Sequence, residues 1–270
     1  MKTGSTRLRA QRERCGRTAA KLDALLVASL MLFSWLLVAC GTIADRTSEV
    51  GTRCPSAVRQ LINPKVVPDL EISLVVDGSG SFMGDRAASR TFVAQQVALT
   101  VEYAVASGAA LRVIVFGASA GNASTVVECP VMAVRYRNEA ALAAKLAHLK
   151  QVASDEVWRA VLNGRPAMAR PGTSVGGGYV ALGDATALTA GRRVGLMLSD
   201  GIALPETGIA VDLSDFSSIG MYGVGQTEPP PSTGEVDRLA RAWRAWLTRQ
   251  GARQVVVSTQ GYSTKREVAS

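Results

Sequence analysis

Along this chain the apolar residues gather into short runs, at 71–76, 111–116, 125–134, 194–198, 217–224 and 254–259, each rich in Val, Ile or Leu. Runs this short and nearly unbroken suit strands covered on both faces, as in a parallel sheet. Between them, at 87–107, 138–162, 175–188 and 233–250, apolar residues recur at spacings of three and four, which predicts helices. Alternation of strand and helix implies a doubly wound α/β fold, with about six mainly parallel strands in a central sheet and helices on both faces. In the last helix Leu239, Trp243, Trp246 and Leu247 make a stripe, with Arg238, Arg241, Arg244 and Arg249 around the remainder. Such a stripe predicts a face turned to the core. The chain shows no internal repeat and no low-complexity tract beyond Pro229-Pro230-Pro231.

Upstream the pattern differs. Residues 25–39 form an uncharged apolar run, preceded by a basic segment and closed by Cys40-Gly41. A run of about 15 residues has the length of a signal h-region and falls short of the ~20 that cross a hydrocarbon core. Its end, Leu37-Val38-Ala39-Cys40, resembles the lipobox of bacterial lipoproteins, where a diacylglyceryl group joins the cysteine sulfur and the chain is cut before it. That resemblance implies a lipoprotein signal peptide at 1–39 and lipidation of Cys40. Residues 40–68, polar and carrying Pro55, Pro64 and Pro68, would then be a lipid-anchored tether, with a domain at 69–262 and a tail at 263–270. An uncleaved signal anchor is the alternative. Either one places the residues after 40 on the extracytoplasmic side of a bacterial cell membrane.

A formal net charge of +8 raises the question of a nucleic-acid partner. Residues 1–39 hold seven basic residues against Glu13 and Asp23, hence +5 of that +8. The remaining +3 forms no stripe interleaved with aromatics, so no nucleic acid is expected. With 47% hydrophobic and 19% charged residues, the rest has the composition of a packed globule. Cys15 would leave with the signal and Cys40 would carry lipid, so Cys54 and Cys129 remain as the pair of the mature chain. The compartment permits a disulfide between them; two buried thiols are the alternative.

The candidate chemistry begins where the first predicted strand ends, in Asp77-Gly78-Ser79-Gly80-Ser81. In an extended loop alternate side chains face one way, so Asp77, Ser79 and Ser81 are placed to converge on one hard cation. The carboxyl end of a strand is also where open α/β sheets put their ligands. The glycines imitate a dinucleotide-binding turn, but Asp77 at the strand end would repel phosphate, and no acid closes a second strand about 20 residues on. No nucleotide is expected. Two more segments supply oxygens at element ends: Pro171-Gly172-Thr173-Ser174, entering a helix, and Leu198-Ser199-Asp200-Gly201, leaving a strand.

With these three segments in family order, residues 69–260 or so resemble the von Willebrand factor A family. Its metal-ion-dependent adhesion site corresponds here to Asp77, Ser79, Ser81, Thr173 and Asp200. The resemblance implies hydroxyls bound directly to the metal and aspartates bound directly or through water. Two carboxylates and neutral hydroxyls leave Mg²⁺ or Mn²⁺, with Ca²⁺ less suited, an appetite for one more anionic oxygen. In the family that oxygen is a Glu or Asp carboxylate of another protein. The expected function is therefore metal-dependent protein binding, in adhesion or envelope assembly, at the bacterial cell envelope. No enzymatic activity is expected; a metal-dependent hydrolase and a structural subunit of an envelope or secretion assembly are the alternatives. His148, the sole histidine, falls inside the 138–162 helix pattern, and the Gly-x-Ser-x-Gly turn of a serine hydrolase is missing around Ser79.

Overall fold

The computed structural model describes residues 53–83, 87–117, 123–168, 174–205 and 208–262, with side chains through 162 in the third stretch. The expected signal sequence, Cys40, Thr173 and the C-terminal tail lie outside the described residues. Six strands form one sheet: β1 (Leu70–Asp77), β2 (Ala110–Phe116), β3 (Ser124–Cys129), β4 (Arg192–Leu198), β5 (Phe216–Tyr222) and β6 (Val255–Ser258). Their spatial order is β3-β2-β1-β4-β5-β6. All neighbours run parallel except β2 and β3, which pair antiparallel. Seven residues, 117–123, join those two strands, too few for the crossover a parallel pair needs. The apolar run read as 125–134 stops as a strand at Cys129, because Pro130 has no N–H to give the ladder.

Two short helices, α1 (Ser56–Arg59) and α2 (Gly80–Met83), accompany four longer ones: α3 (Ala87–Ser107), α4 (Glu139–Met168), α5 (Val175–Gly183) and α6 (Thr233–Arg249). The pleat sends alternate residues of β1 to opposite faces. Ile72, Leu74 and Val76 join a core with Val97 and Val101 of α3 and Leu149 and Val157 of α4. Val75 belongs to a second core with Tyr179 of α5 and Trp243 of α6. All eight residues of β1 are buried, which is why its sequence reads as an apolar run rather than an alternation. The α6 stripe of Leu239, Trp243, Trp246 and Leu247 is buried as its spacing predicts. Among the described residues no helix is long and apolar enough to cross a membrane.

Residues 53–68 are more than a tether. Cys54 is disulfide-bonded to Cys129, Val58 is buried, Ile62 bridges Val134, and Asn63 N donates to the Ala133 carbonyl at 2.6 Å. Val58, Leu61 and Ile62, spaced by three and four, seat this segment against the first core. This segment therefore packs on the sheet ahead of residue 69, the boundary that its polarity suggests.

At the amino ends of the central strands an ionic cluster is enclosed. Glu71 of β1 receives Arg112 Nη1 of β2 at 2.8 Å and lies 3.3 Å from Arg193 Nε of β4. Ser73 Oγ and the Leu188 backbone N–H also donate to it. Arg112 binds Glu128 of β3 at 3.1 Å and the Thr186 carbonyl at 2.6 Å, while Arg193 reaches the Ala185 carbonyl. One buried carboxylate thereby holds together three adjacent strands and the turn after α5. Glu71→Ala should leave two buried guanidinium groups without it and lower unfolding free energy by about 3–5 kcal/mol in urea denaturation. A loss below about 1 kcal/mol would mean that water already reaches these groups.

Candidate metal-binding site

β1 delivers Asp77 to the carboxyl edge of the sheet, fully buried. The loop that follows is fixed by its own backbone: Gly78 N donates to the Phe116 carbonyl of β2 at 2.7 Å, and Met83 N to the Ser79 carbonyl at 2.8 Å. Asp77 Oδ1 accepts from Ser79 N at 2.8 Å, closing a turn within the motif. Phe82 and Met83 are buried behind it. The loop is not extended through Ser81, since Gly80–Met83 turn into α2, yet Ser79 Oγ and Ser81 Oγ lie 3.1 Å apart.

β4 brings the other carboxylate. Beyond Leu198, Ser199 and Asp200 are both buried. Ser199 Oγ donates to Asp77 Oδ2 at 2.7 Å and accepts from Gly201 N at 3.1 Å, so this hydroxyl ties the two acidic motifs together. Asp200 Oδ1 accepts from Ile202 N at 3.3 Å, and its carbonyl from Gly225 N at 2.7 Å. The Gly201 carbonyl takes a 3.0 Å hydrogen bond from Trp243 Nε1 of α6. Gly201 has φ +57°, and a Cβ there would come within 2.6 Å of Met221 Cε, so glycine suits both the backbone and the space.

The sequence-predicted set is placed as follows. Asp77, Ser79 and Ser81 stand together, and Asp200 is close enough for its charge to act on Asp77. Thr173 lies outside the described residues. Its neighbour Ser174 caps α5, the Oγ accepting from Gly177 N at 3.0 Å. Gly178 of that helix lies against Phe116, where a Cβ would be 2.9 Å from the ring, so α5 begins at the same carboxyl edge. Among the described residues no three His, Cys, Asp or Glu side chains gather as for zinc, and His148 stands exposed on α4. The residues missing from the sequence-based set are Ser199 and Trp243, neither a candidate ligand, which hold Asp77 and the Asp200 loop in place.

The electrostatics favour a cation. Burial, and next the negative charge of Asp200, push the Asp77 carboxyl from its usual 3.8 up to about 7, against the hydrogen bonds from Ser79 and Ser199 that lower it. Two enclosed carboxylates repel each other, and the adjacent donors are neutral hydroxyls. A set made wholly of hard oxygens with excess negative charge fits Mg²⁺ or Mn²⁺ better than a soft metal.

No protein-family model and no curated protein matches this chain. Solved structures similar in arrangement include an aerotolerance-related membrane protein from Bacteroides fragilis, at 14% identity and TM-score 0.41, covering 74% of this chain and 94% of that one. Another is the conserved hypothetical protein BatB from Bacteroides thetaiotaomicron, at 16% identity and TM-score 0.42, covering 72% and 91%. A third is a von Willebrand factor type A structure from Catenulispora acidiphila, at 15% identity and TM-score 0.34, covering 66% and 37%. These are likenesses in the arrangement of strands and helices alone, and they assign this chain neither ligand nor partner.

The raised Asp77 carboxyl has a measurable consequence. In its titration range the folded state binds more protons than the unfolded one, so the stability it confers is complete below about pH 4 and is lost as pH rises to about 7. In EDTA, the melting temperature of the wild type should fall across that window relative to Asp77→Asn, with the difference levelling above it. Parallel curves for the two proteins would show that Asp77 carries no such burden.

Proposed function

We propose that this chain is a metal-dependent protein-binding domain held at the outer face of a bacterial cell membrane. Asp77, Ser79, Ser81, Thr173 and Asp200 would hold one Mg²⁺ or Mn²⁺, which when bound supplies a Lewis-acidic position for a carboxylate of a partner protein. The observation that carries this reading is the pairing of two buried, mutually repelling aspartates with the Ser79 and Ser81 hydroxyls on one edge of the sheet. A rigid frame suits recognition: Ser199 and Trp243 fix the motifs before any ligand arrives.

The surroundings support binding over turnover. Both Asp77 oxygens accept hydrogen bonds, from Ser79 N and Ser199 Oγ, which fix the orientation of this carboxylate as a ligand would need. Just past Asp200, Ile202 and Leu204 are 43% and 48% exposed, giving an apolar margin of the kind a protein contact uses beside a polar anchor. Membrane attachment through lipidated Cys40 rests on the lipobox resemblance and the apolar run before it.

The test is a pull-down from envelope extract with detergent-solubilised protein, in Mg²⁺ and in EDTA, with Asp77→Ala alongside. A protein retained only by the wild type in Mg²⁺ is the expected result. Equal retention in all three samples would make the ion, if bound, a structural element of an assembly subunit. Hydrolysis of a phosphoester by the wild type and not by Asp77→Ala would favour the enzyme.

A further inference from the structure

The opposite edge of the sheet carries its own surface. Residues 59–65 and 133–137 run side by side there, joined by Asn63 N to the Ala133 carbonyl, the Ile62–Val134 bridge, and Arg135 N to the Leu61 carbonyl at 2.9 Å. Met132 N donates to the Ala109 carbonyl just before β2, and Val66 lies against Gly108, so this pair sits at the amino ends of the strands. Arg59 and Lys65 on one segment, and Arg135 and Arg137 on the other, are exposed. None of the four takes part in an ion pair among the described residues. Between them stand two apolar side chains turned to solvent, Val67 at 88% and Tyr136 at 58% exposure. Asp69 and Glu139 are the exposed acids beside them, and Asp212 and Asp215 lie before β5, farther along the same edge. Toward β4–β6 the exposed Arg192, Arg249 and Arg253 are offset by Asp184, Asp212 and Asp215, so the excess of positive charge falls at the β3–β2–β1 corner.

We infer that this corner, Arg59, Lys65, Arg135 and Arg137 around Val67 and Tyr136, docks the domain on an anionic lipid surface. Lysine and arginine near such a surface are each drawn to it, and a valine and a tyrosine suit the headgroup boundary. The covalent path agrees: the Cys54–Cys129 disulfide lies at this same end, entered through Arg53. Only 12 residues, 41–52, separate Cys40 from it. Fully extended they reach about 40 Å, so the tether alone fixes no orientation, yet it keeps the patch at millimolar effective concentration near the membrane. At that concentration four basic residues suffice for a useful bias. Since β1 is eight residues long, docking here would hold the Asp77 edge about 25 Å farther out, facing a partner. The inference rests on the envelope-anchored reading and is independent of the metal.

Hydrogen–deuterium exchange of the full chain on vesicles tests it, with phosphatidylcholine alone against a mixture holding roughly one-third phosphatidylglycerol. Residues 59–67 and 131–137 should exchange more slowly on the anionic vesicles. Arg135→Glu with Arg137→Glu should reverse this, by about fivefold for each charge removed, while exchange in 71–76 stays unchanged as the check on folding. Equal exchange on both vesicles, with the chain floating on both, overturns the docking and spares the anchor. Protection on anionic vesicles without flotation on neutral ones keeps the docking and removes the anchor. Flotation on neither overturns both, and the same protection by soluble polyphosphate without vesicles overturns lipid as the occupant.

Discussion

A carboxylate buried at the end of a central strand is the constraint around which this molecule is organised. Asp77 has no solvent to dissipate its charge, and the negative charge of Asp200 adds to the cost. Three devices keep it tolerable: the N–H of Ser79, the hydroxyl of Ser199, and the option of taking up a proton. Each is only a partial answer, since neutral dipoles reduce the cost of a buried charge without cancelling it. A divalent cation would cancel it. Stability and the proposed metal binding would therefore be coupled at one residue, and the structure around it reads as a rigid frame for an electrostatic deficit.

The two edges of the sheet handle buried charge in opposite ways. At the amino edge Glu71 is matched by Arg112 and Arg193, and Arg112 by Glu128, all within the protein. That closed cluster asks for nothing from outside and locks β1, β2 and β4 in register. At the carboxyl edge Asp77 and Asp200 are set together with hydroxyls, an arrangement that the proposed cation would complete. The difference lies in a handful of side chains on shared strands, β1 contributing Glu71 at one end and Asp77 at the other. The disulfide and the 53–68 segment reinforce the closed edge, leaving the open one to its loops.

Much of this was legible in the residues because burial on both faces gives a central strand an unbroken apolar run. The reversal of β3 was not read from the pattern, although the connection before it is too short to cross over, and its end at Pro130 was not marked by a change in hydrophobicity. The Asp77 loop was visible because its Asp-x-Ser-x-Ser spacing is a local feature of the sequence. Ser199 and Trp243 were not, because their roles exist only once β4 and α6 have been brought to β1. A tryptophan in a core stripe does carry a hint, since its N–H needs an acceptor; the partner, Gly201, is 42 positions away. Polarity misled at 53–68, where three apolar residues and one cysteine outweigh the prolines around them. The pairing of Cys54 with Cys129, one of two possibilities on composition alone, follows from their meeting at the amino edge.

The most direct measurement is electron paramagnetic resonance of Mn²⁺ titrated into the full chain, with Asp77→Ala and Thr173→Ala in parallel. The account predicts one bound ion per chain, absent in Asp77→Ala and weakened in Thr173→Ala. Failure of the wild type to bind Mn²⁺, or binding indifferent to both substitutions, would contradict it.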